Sequence, residues 1–226
     1  MTAWVDYDRH ARTCARDDLW GQVRRTVRGR PVGPDQVDLI VDTVLWQLEL
    51  RPHDVLLDLA CGNGALTARL HTACAGSVGV DVSPYLIEVA RERFEDGAHR
   101  FIVGDAAAHV EITADRARFT KALCYGSLSY LDDDAVTRML RGLHQRFPNV
   151  GRVLLGNLPD PDRVQDFHLD APCPDLAEPR SAIGVWRSAA TVAALAGPGW
   201  TVRATVMPAA FFAAHYRFDI LLERAA

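Results

Sequence analysis

Apolar positions in the first part of the chain alternate between helical spacing and short strand-like runs. After the break at Gly33-Pro34, a stripe at helical spacing comprises Val37, Ile40, Val41, Val44, Leu45 and Leu48. Arg51-Pro52-His53 ends this helix, and a buried strand follows from Val55. Residues 64–74 return to helical spacing, and a second strand covers 77–81. This order predicts a strand–helix–strand unit.

The same alternation continues towards the end of the chain. Ser83 and Pro84 supply an N-cap and a first-turn proline for the next helix. The remaining predicted elements are a strand at 100–103, a strand from Phe119 to Tyr125, a helix from Asp133 to Phe147, a strand from Arg152 to Gly156, a helix near 188–196, and strands at Trp200 to Val206 and Tyr216 to Leu222. Repeated units of this length predict an α/β fold, with a parallel sheet between two layers of helices.

Candidate chemistry is concentrated where the first strand ends. That strand carries Asp58, and the chain then enters a turn that holds Gly62 and Gly64 before helical spacing resumes. A strand that leads into a Gly-rich turn and a helix N-terminus is typical of a nucleotide-cofactor site. A dinucleotide fingerprint would place a third Gly or Ala where this chain has Thr67.

The charge around this turn favours a cofactor without phosphate. A carboxylate at Asp58 would repel a pyrophosphate, whereas it would pair with the α-amino group of S-adenosylmethionine (SAM). Asp81 ends the second strand 17 residues beyond Gly64, where an acid can accept hydrogen bonds from both ribose hydroxyls. Asp105 follows the third strand and is available to an adenine amino group.

These three acids and the Gly turn resemble the class I SAM-dependent methyltransferases, whose motif reads roughly D-x-G-x-G-x-G before a ribose acid and an adenine Asp. Ala60 stands at the first glycine of that motif. The resemblance covers residues 54 to about 156. It implies a Rossmann-like, doubly wound sheet of seven strands, mostly parallel, with an antiparallel last strand. The cofactor contacts it implies are Asp58, Gly62 and Gly64 for the methionine part, Asp81 for the ribose, Asp105 and Ala106 for the adenine, and Ala60, Val82 and Tyr125 in addition.

The resemblance also implies a domain organisation. Residues 1–33 are expected to form an N-terminal helical lid that reaches the cofactor through Tyr7, Trp20 and Arg25, although a solvated helix with paired charges would fit the same residues. Residues 34–226 would form the SAM-binding domain, with the Pro- and Asp-rich stretch 157–187 as an insertion over the active site. Three segments look like those of bacterial methyltransferases that tailor natural products or surface polysaccharides: Trp20–Pro34, Leu155–Asp160 and His215–Asp219.

The methyl acceptor is expected near the end of the fourth strand, because ligands of open α/β sheets bind beyond the carboxyl ends of the strands. Ser127 and Tyr130 are expected to face it, and Tyr125 beside them is a candidate catalytic residue. Methyl transfer is an in-line displacement, so alignment supplies most of the rate. His168 or His215 is a hypothetical general base, since both fall in segments expected to roof the site. The alternative is that both are surface or structural histidines.

Composition narrows the range of partners. The chain has 226 residues and a net charge of -4, which argues against a general polyanion-binding surface and against duplex nucleic acid. Its 49% hydrophobic content supplies a core, while no apolar run approaches the ~20 residues that cross a bilayer. We expect a cytoplasmic protein. We also expect no metal site, because the consecutive acids at 132–134 suit a helix cap better than a metal.

The sequence therefore predicts a SAM-dependent methyltransferase that acts on an O or N atom of a small molecule, in bacterial secondary metabolism, with a homodimer left open. One alternative is an NAD(P)-dependent oxidoreductase, against which Thr67 argues. Another is a catalytically inactive SAM-binding partner subunit. A third is aminopropyl transfer, for which Asp160, Asp162 and Asp166 offer only a thin acidic cluster.

Overall fold

The computed structural model describes residues 6–27, 29–167, 176 and 183–225. Within these residues, one sheet contains seven strands, which are β3 Val55–Leu59, β4 Gly76–Asp81, β5 His99–Val103, β6 Lys121–Tyr125, β7 Arg152–Pro159, β8 Trp200–Val206 and β9 Arg217–Arg224. Their order in the sheet is β5-β4-β3-β6-β7-β9-β8. The first five are parallel, whereas β9 is antiparallel to both β7 and β8. The expected doubly wound sheet with an antiparallel last strand is confirmed.

Helices cover both faces of this sheet. Their bounds are α1 Tyr7–Ala11, α2 Leu19–Gln22, α3 Pro34–Leu48, α4 Ala65–Ala68, α5 Pro84–Phe94, α6 Ala106–Ile112, α7 Asp133–Arg146, α8 Val164–Phe167 and α9 Ala189–Ala196. Successive strand residues point to opposite faces, so Leu57 packs in the core layer of α6 and α7, and Leu56 in that of α3. A small hairpin, β1 Thr26–Val27 and β2 Arg30–Pro31, precedes α3.

The structure differs from the predicted elements in two helices. The link after β5, which shows no clear pattern in the sequence, contains α6, and Asp105 caps it by accepting a hydrogen bond from the Ala108 N–H at 2.8 Å. The helix predicted over 64–74 is only the short α4, followed by a 3₁₀ turn at His71–Ala73. It ends early because the chain must return to the start of β4.

The fifth strand of the parallel set is longer than predicted. β7 continues to Pro159 through a bulge between Leu155 and Leu158, so residues 157–159 belong to the strand and not to an insertion. Beyond Gly156 the strand pairs only with β9. Pro159, which has no backbone N–H, therefore removes no hydrogen bond to a second neighbouring strand. Of the expected insertion, 161–167 are helical, and 168–175 and 177–182 lie outside the described residues.

The residues before α3 pack on the start of α5 and on the turn after β3 through specific hydrogen bonds. Asp8 accepts hydrogen bonds from the Ser83 hydroxyl at 2.7 Å and from the Tyr85 N–H at 3.0 Å, at the N-terminus of α5. Buried Asn63 donates to the Leu19 carbonyl at 2.7 Å and to the Gln22 side chain at 2.9 Å. The N-terminal segment is thereby attached to the glycine turn.

Candidate active site

A cavity of about 790 Å³ lies over the carboxyl ends of β3, β4 and β6, beneath the N-terminal segment. Ten of the twelve expected cofactor residues line it: Tyr7, Trp20, Arg25, Asp58, Ala60, Gly62, Asp81, Val82, Asp105 and Tyr125. Gly64 and Ala106 do not. The topology produces this gathering, because parallel strands bring their ends to one edge of the sheet.

Asp58 is a buried carboxylate beneath the cavity, and its residue is only 2% exposed. Thr67 donates its hydroxyl to Asp58 Oδ2 at 2.6 Å. Burial raises the pKa of Asp58 to about 7, with Asp81 also raising it, while Thr67 and Arg25 act in the opposite direction. Thr67, at the position where a dinucleotide fingerprint would have a small residue, thus holds the carboxylate in place.

The turn after β3 uses the left-handed backbone region three times. Ala60, Gly62 and Gly64 have φ of 61°, 60° and 72°, which is a strained value for Ala60 because it has a Cβ. A Cβ on Gly64 would lie 2.6 Å from the Phe101 ring, and one on Gly62 would lie 2.8 Å from Val23. Gly64 therefore lets the turn pack on β5, which explains why it does not line the cavity.

Asp81 supports the same turn from β4. Its two carboxylate oxygens accept hydrogen bonds from the N–H groups of Gly62 and Ser83, both at 2.9 Å. Burial raises its pKa. Each oxygen keeps a second lone pair, so a diol facing the cavity would still find acceptors here. Asp105 is exposed at the rim, and Ala106 is buried beneath it in α6.

The N-terminal segment places an arginine opposite Asp58. The Arg25 guanidinium lies 5.1 Å from the centre of the Tyr125 ring and 5.6 Å from that of Trp20. Its Nη1 is buried and makes no hydrogen bond. Burial lowers the pKa of Arg25. An unpartnered guanidinium nitrogen on a residue that lines the cavity suits a carboxylate ligand.

Tyr125 lies between the cavity and a buried polar group that the sequence analysis missed. Asp219 in β9 is fully buried, and its Oδ1 accepts a hydrogen bond from the Asn157 N–H in the β7 bulge at 2.7 Å. The Tyr125 hydroxyl and Asp219 Oδ2 are both buried without a partner. Burial, with the nearby Asp219, raises the pKa of Tyr125. A lone acid inside the apolar run Phe218–Leu222 is the sequence signal that would have pointed to Asp219.

Because Asp219 is buried, we expect the free energy of unfolding to depend on pH. Burial raises its pKa to about 7, against 3.8 for the exposed group. Between these values the folded chain keeps a proton that the unfolded chain has lost, so the contribution of this group to stability falls as pH rises, by up to about 1.4 kcal/mol per unit. We expect Asp219→Asn to raise the free energy of unfolding relative to the native chain at pH 8 but not at pH 4. Urea denaturation at both values measures this, and an equal change at both would contradict it.

Of the two expected general bases, only His215 lies within the described residues, and its position does not support that role. His215 is exposed, its ring lies edge-on to Tyr216 at 4.8 Å, and it does not line the cavity. It lies in the turn before β9, and the side chain of the next residue, Tyr216, is the one that packs inwards. His168 lies outside the described residues. Ser127 and Tyr130, expected to face the acceptor, both line the cavity.

Comparison with known proteins identifies the central part of the chain. Residues 56–149 match the family model described as a methyltransferase domain. The chain is 30% identical over 148 residues to the magnesium-protoporphyrin O-methyltransferase of Rhodobacter capsulatus. This matched region covers 64% of this chain and 55% of the relative. Matches of 53 to 85 residues link it to ribosomal RNA methyltransferases. The chain spans between 12% and 55% of the length of the curated relatives it matches.

Solved structures share the fold at low sequence identity. A protein from Pyrococcus horikoshii OT3 is 19% identical, with a TM-score of 0.65 over 84% of this chain and 90% of that one. The geranyl diphosphate C-methyltransferase of Streptomyces coelicolor A3(2), crystallised with S-adenosylhomocysteine, is 16% identical, with a TM-score of 0.57 over 83% and 76%. Within the described residues, no helix has the length and apolar character needed to cross a membrane. Residues 56–149 thus match a methyltransferase domain, and the chain shares the fold of solved SAM-dependent methyltransferases.

Proposed function

We propose that this protein transfers a methyl group from SAM to an O or N atom of a small molecule. The observation that carries the proposal is the charge pair at one end of the cavity. Asp58 lines the cavity and would pair with the ammonium of the methionine part, and the unpartnered Nη1 of Arg25 would pair with its carboxylate. A diphosphate would meet a buried acid there instead.

The rest of the cavity suits a nucleoside. Asp81, already holding the glycine turn, would accept the ribose hydroxyls, with exposed Val82 covering the sugar. Asp105 at the rim would accept from the adenine amino group, and Tyr7 and Trp20 would close over the ligand. Ala106 and Gly64 would act from beneath, through packing.

The acceptor would enter beside Ser127 and Tyr130. When bound, SAM supplies an electrophilic methyl carbon next to a sulfonium. The contribution of this chain is to align the acceptor and exclude water. Burial raises the pKa values of Tyr7 and Tyr125, which keeps both phenols neutral at physiological pH. We therefore propose that Tyr125, a candidate catalytic residue, has a positioning role, and the proton of the acceptor would leave to solvent or to another acceptor group.

A small acceptor fits the enclosed cavity better than a folded nucleic acid would. The N-terminal segment covers the site, and the net charge of -4 offers no broad polyanion surface. The curated relative from Rhodobacter is by its name an O-methyltransferase of magnesium-protoporphyrin, a small molecule. We further propose that the acceptor belongs to bacterial secondary metabolism, on the similarity of the segments Trp20–Pro34 and His215–Asp219 to tailoring methyltransferases.

Calorimetric titration with S-adenosylhomocysteine and, separately, with NADH tests the cofactor assignment. We expect micromolar binding of S-adenosylhomocysteine and no heat from NADH up to about 1 mM, a difference of about 4 kcal/mol in binding free energy. NADH binding would favour an oxidoreductase. Transfer of tritium from methyl-labelled SAM to a panel of phenols, carboxylic acids and amines then separates an enzyme from an inactive SAM-binding subunit, which would bind the cofactor without turnover.

A further inference from the structure

A second group of chemically active side chains lies away from the proposed cofactor site. His71 follows α4, and Asp96 and His99 flank the start of β5, next to Ser77 of β4. These are the amino ends of the strands, whereas the cofactor cavity lies over their carboxyl ends. His71 and Asp96 also line a separate open cavity of about 670 Å³.

The three side chains converge closely. The imidazole rings of His71 and His99 are stacked, with centres 3.5 Å apart and planes 5° from parallel. One ring nitrogen of each histidine and one carboxylate oxygen of Asp96 lie within 4.8 Å of one another. Two imidazoles and a carboxylate are a common ligand set for zinc and its neighbours in the first transition row.

Hydrogen bonds orient two of these groups and leave ligand atoms available. The Nδ1 of His99 lies 2.9 Å from the Ser77 hydroxyl, and this buried contact leaves Nε2 free. Asp96 Oδ1 accepts hydrogen bonds from the N–H groups of Ala98 and His99, at 2.7 and 2.8 Å, which leaves Oδ2. Such supporting bonds to a histidine ring and a carboxylate are typical of metal ligands. The Nε2 of His71 is buried and has no partner.

We propose that His71, Asp96 and His99 form a binding site for a divalent transition-metal ion, with Zn²⁺ as the best match. A Zn–N bond is about 2.0–2.1 Å, so two nitrogens on one ion lie no more than about 4.2 Å apart. The in-plane lone pairs of two parallel stacked rings do not converge, so binding requires the half-buried His71 to swing slightly out of the stack, towards the cavity from which the ion and a water ligand would enter. The ion would connect the chain after α4 to the start of β5.

Zinc titration of the EDTA-treated, dialysed full chain, in competition with a chromophoric chelator, tests this site. We expect one Zn²⁺ per chain with a Kd of about 1 µM or lower. His71→Ala and Asp96→Asn should each weaken binding at least about tenfold. His53→Ala, which removes an exposed histidine, is the matched control and should bind like the native chain. Bound Co²⁺ should give the visible absorption of a four-coordinate site.

The chain has eight histidines, so weak binding elsewhere must be separated from this site. A Kd above about 100 µM in the native chain, or equal losses in His53→Ala and His71→Ala, would overturn the proposal. Thermal unfolding without metal should be similar for Asp96→Asn and the native chain, because Asp96 is exposed, and the Zn²⁺-induced rise in Tm should then be lost only in the site variants. S-adenosylhomocysteine titrations of the same metal-free samples report on the cofactor site separately.

Discussion

Replacing Asp58 with asparagine is expected to weaken S-adenosylhomocysteine binding about 10- to 100-fold and to raise the free energy of unfolding at pH 8. The loss follows from removing the carboxylate that would pair with the ligand ammonium, a charge-assisted bond of about 1.5–3 kcal/mol. The Thr67 hydroxyl can still donate to the amide oxygen, so the local geometry is kept. In the native chain the pKa of Asp58 is raised to about 7, so at pH 8 this buried carboxylate is ionised at a cost in stability. Asparagine carries no charge, so the variant avoids that cost.

A substitution that lowers ligand affinity but raises the free energy of unfolding indicates an acid that binds the ligand. Loss of an acid that stabilises the fold would lower the free energy of unfolding instead. Calorimetry gives the affinity and urea denaturation the free energy of unfolding. Asp42→Asn is the matched control, since Asp42 is exposed on α3, and it should change neither. If Asp58→Asn binds S-adenosylhomocysteine as tightly as the native chain, Asp58 does not contact the amino group.

Gly156→Ala is expected to reduce the free energy of unfolding by about 1–3 kcal/mol, the usual cost of overpacking a core. A Cβ at Gly156 would stand well inside 3.0 Å of the Tyr125 ring, closer than side chains tolerate. Tyr125 is buried at the end of β6 and must shift or tilt the β7 bulge. Because Tyr125 lines the cavity and lies against Arg25, cofactor affinity should fall as well.

Gly151→Ala is the control for this substitution. It immediately precedes the same strand, and nothing is within 4 Å of the added Cβ. We expect a change below about 0.5 kcal/mol, as for other surface positions. Equal destabilisation by the two alanines, in denaturant titrations monitored by circular dichroism, would show that the Tyr125 contact does not control the packing here.

The sequence was sufficient for features that depend on local pattern and topology. Each strand that places Asp58, Asp81 or Asp105 follows from a short apolar run, and parallel strands necessarily bring these ends to one edge. The cap at Ser83 and the stripe of α3 were predicted for the same reason: their physical causes lie within a few residues.

Features that depend on long-range pairing were not predicted. The bond between Asn63 and Gln22 joins positions 41 residues apart, and Asp219 meets Asn157 across 62 residues. Neither spacing carries a local signal. α6 was missed because its seven residues are too short for a periodic pattern. The fourth strand was predicted from Phe119 but begins at Lys121, an offset typical of predicted boundaries.

The central claim is that Asp58 pairs with the amino group of the cofactor, and proton release on binding tests it most directly. Asp58 has a pKa raised to about 7 in the free chain, and an adjacent ammonium would lower it. Calorimetric titration with S-adenosylhomocysteine at pH 6, in two buffers of different ionisation enthalpy, should therefore show release of about one proton, falling towards zero at pH 8 and absent in Asp58→Asn. Binding at pH 6 without proton release, or with equal release from Asp58→Asn, would contradict the account.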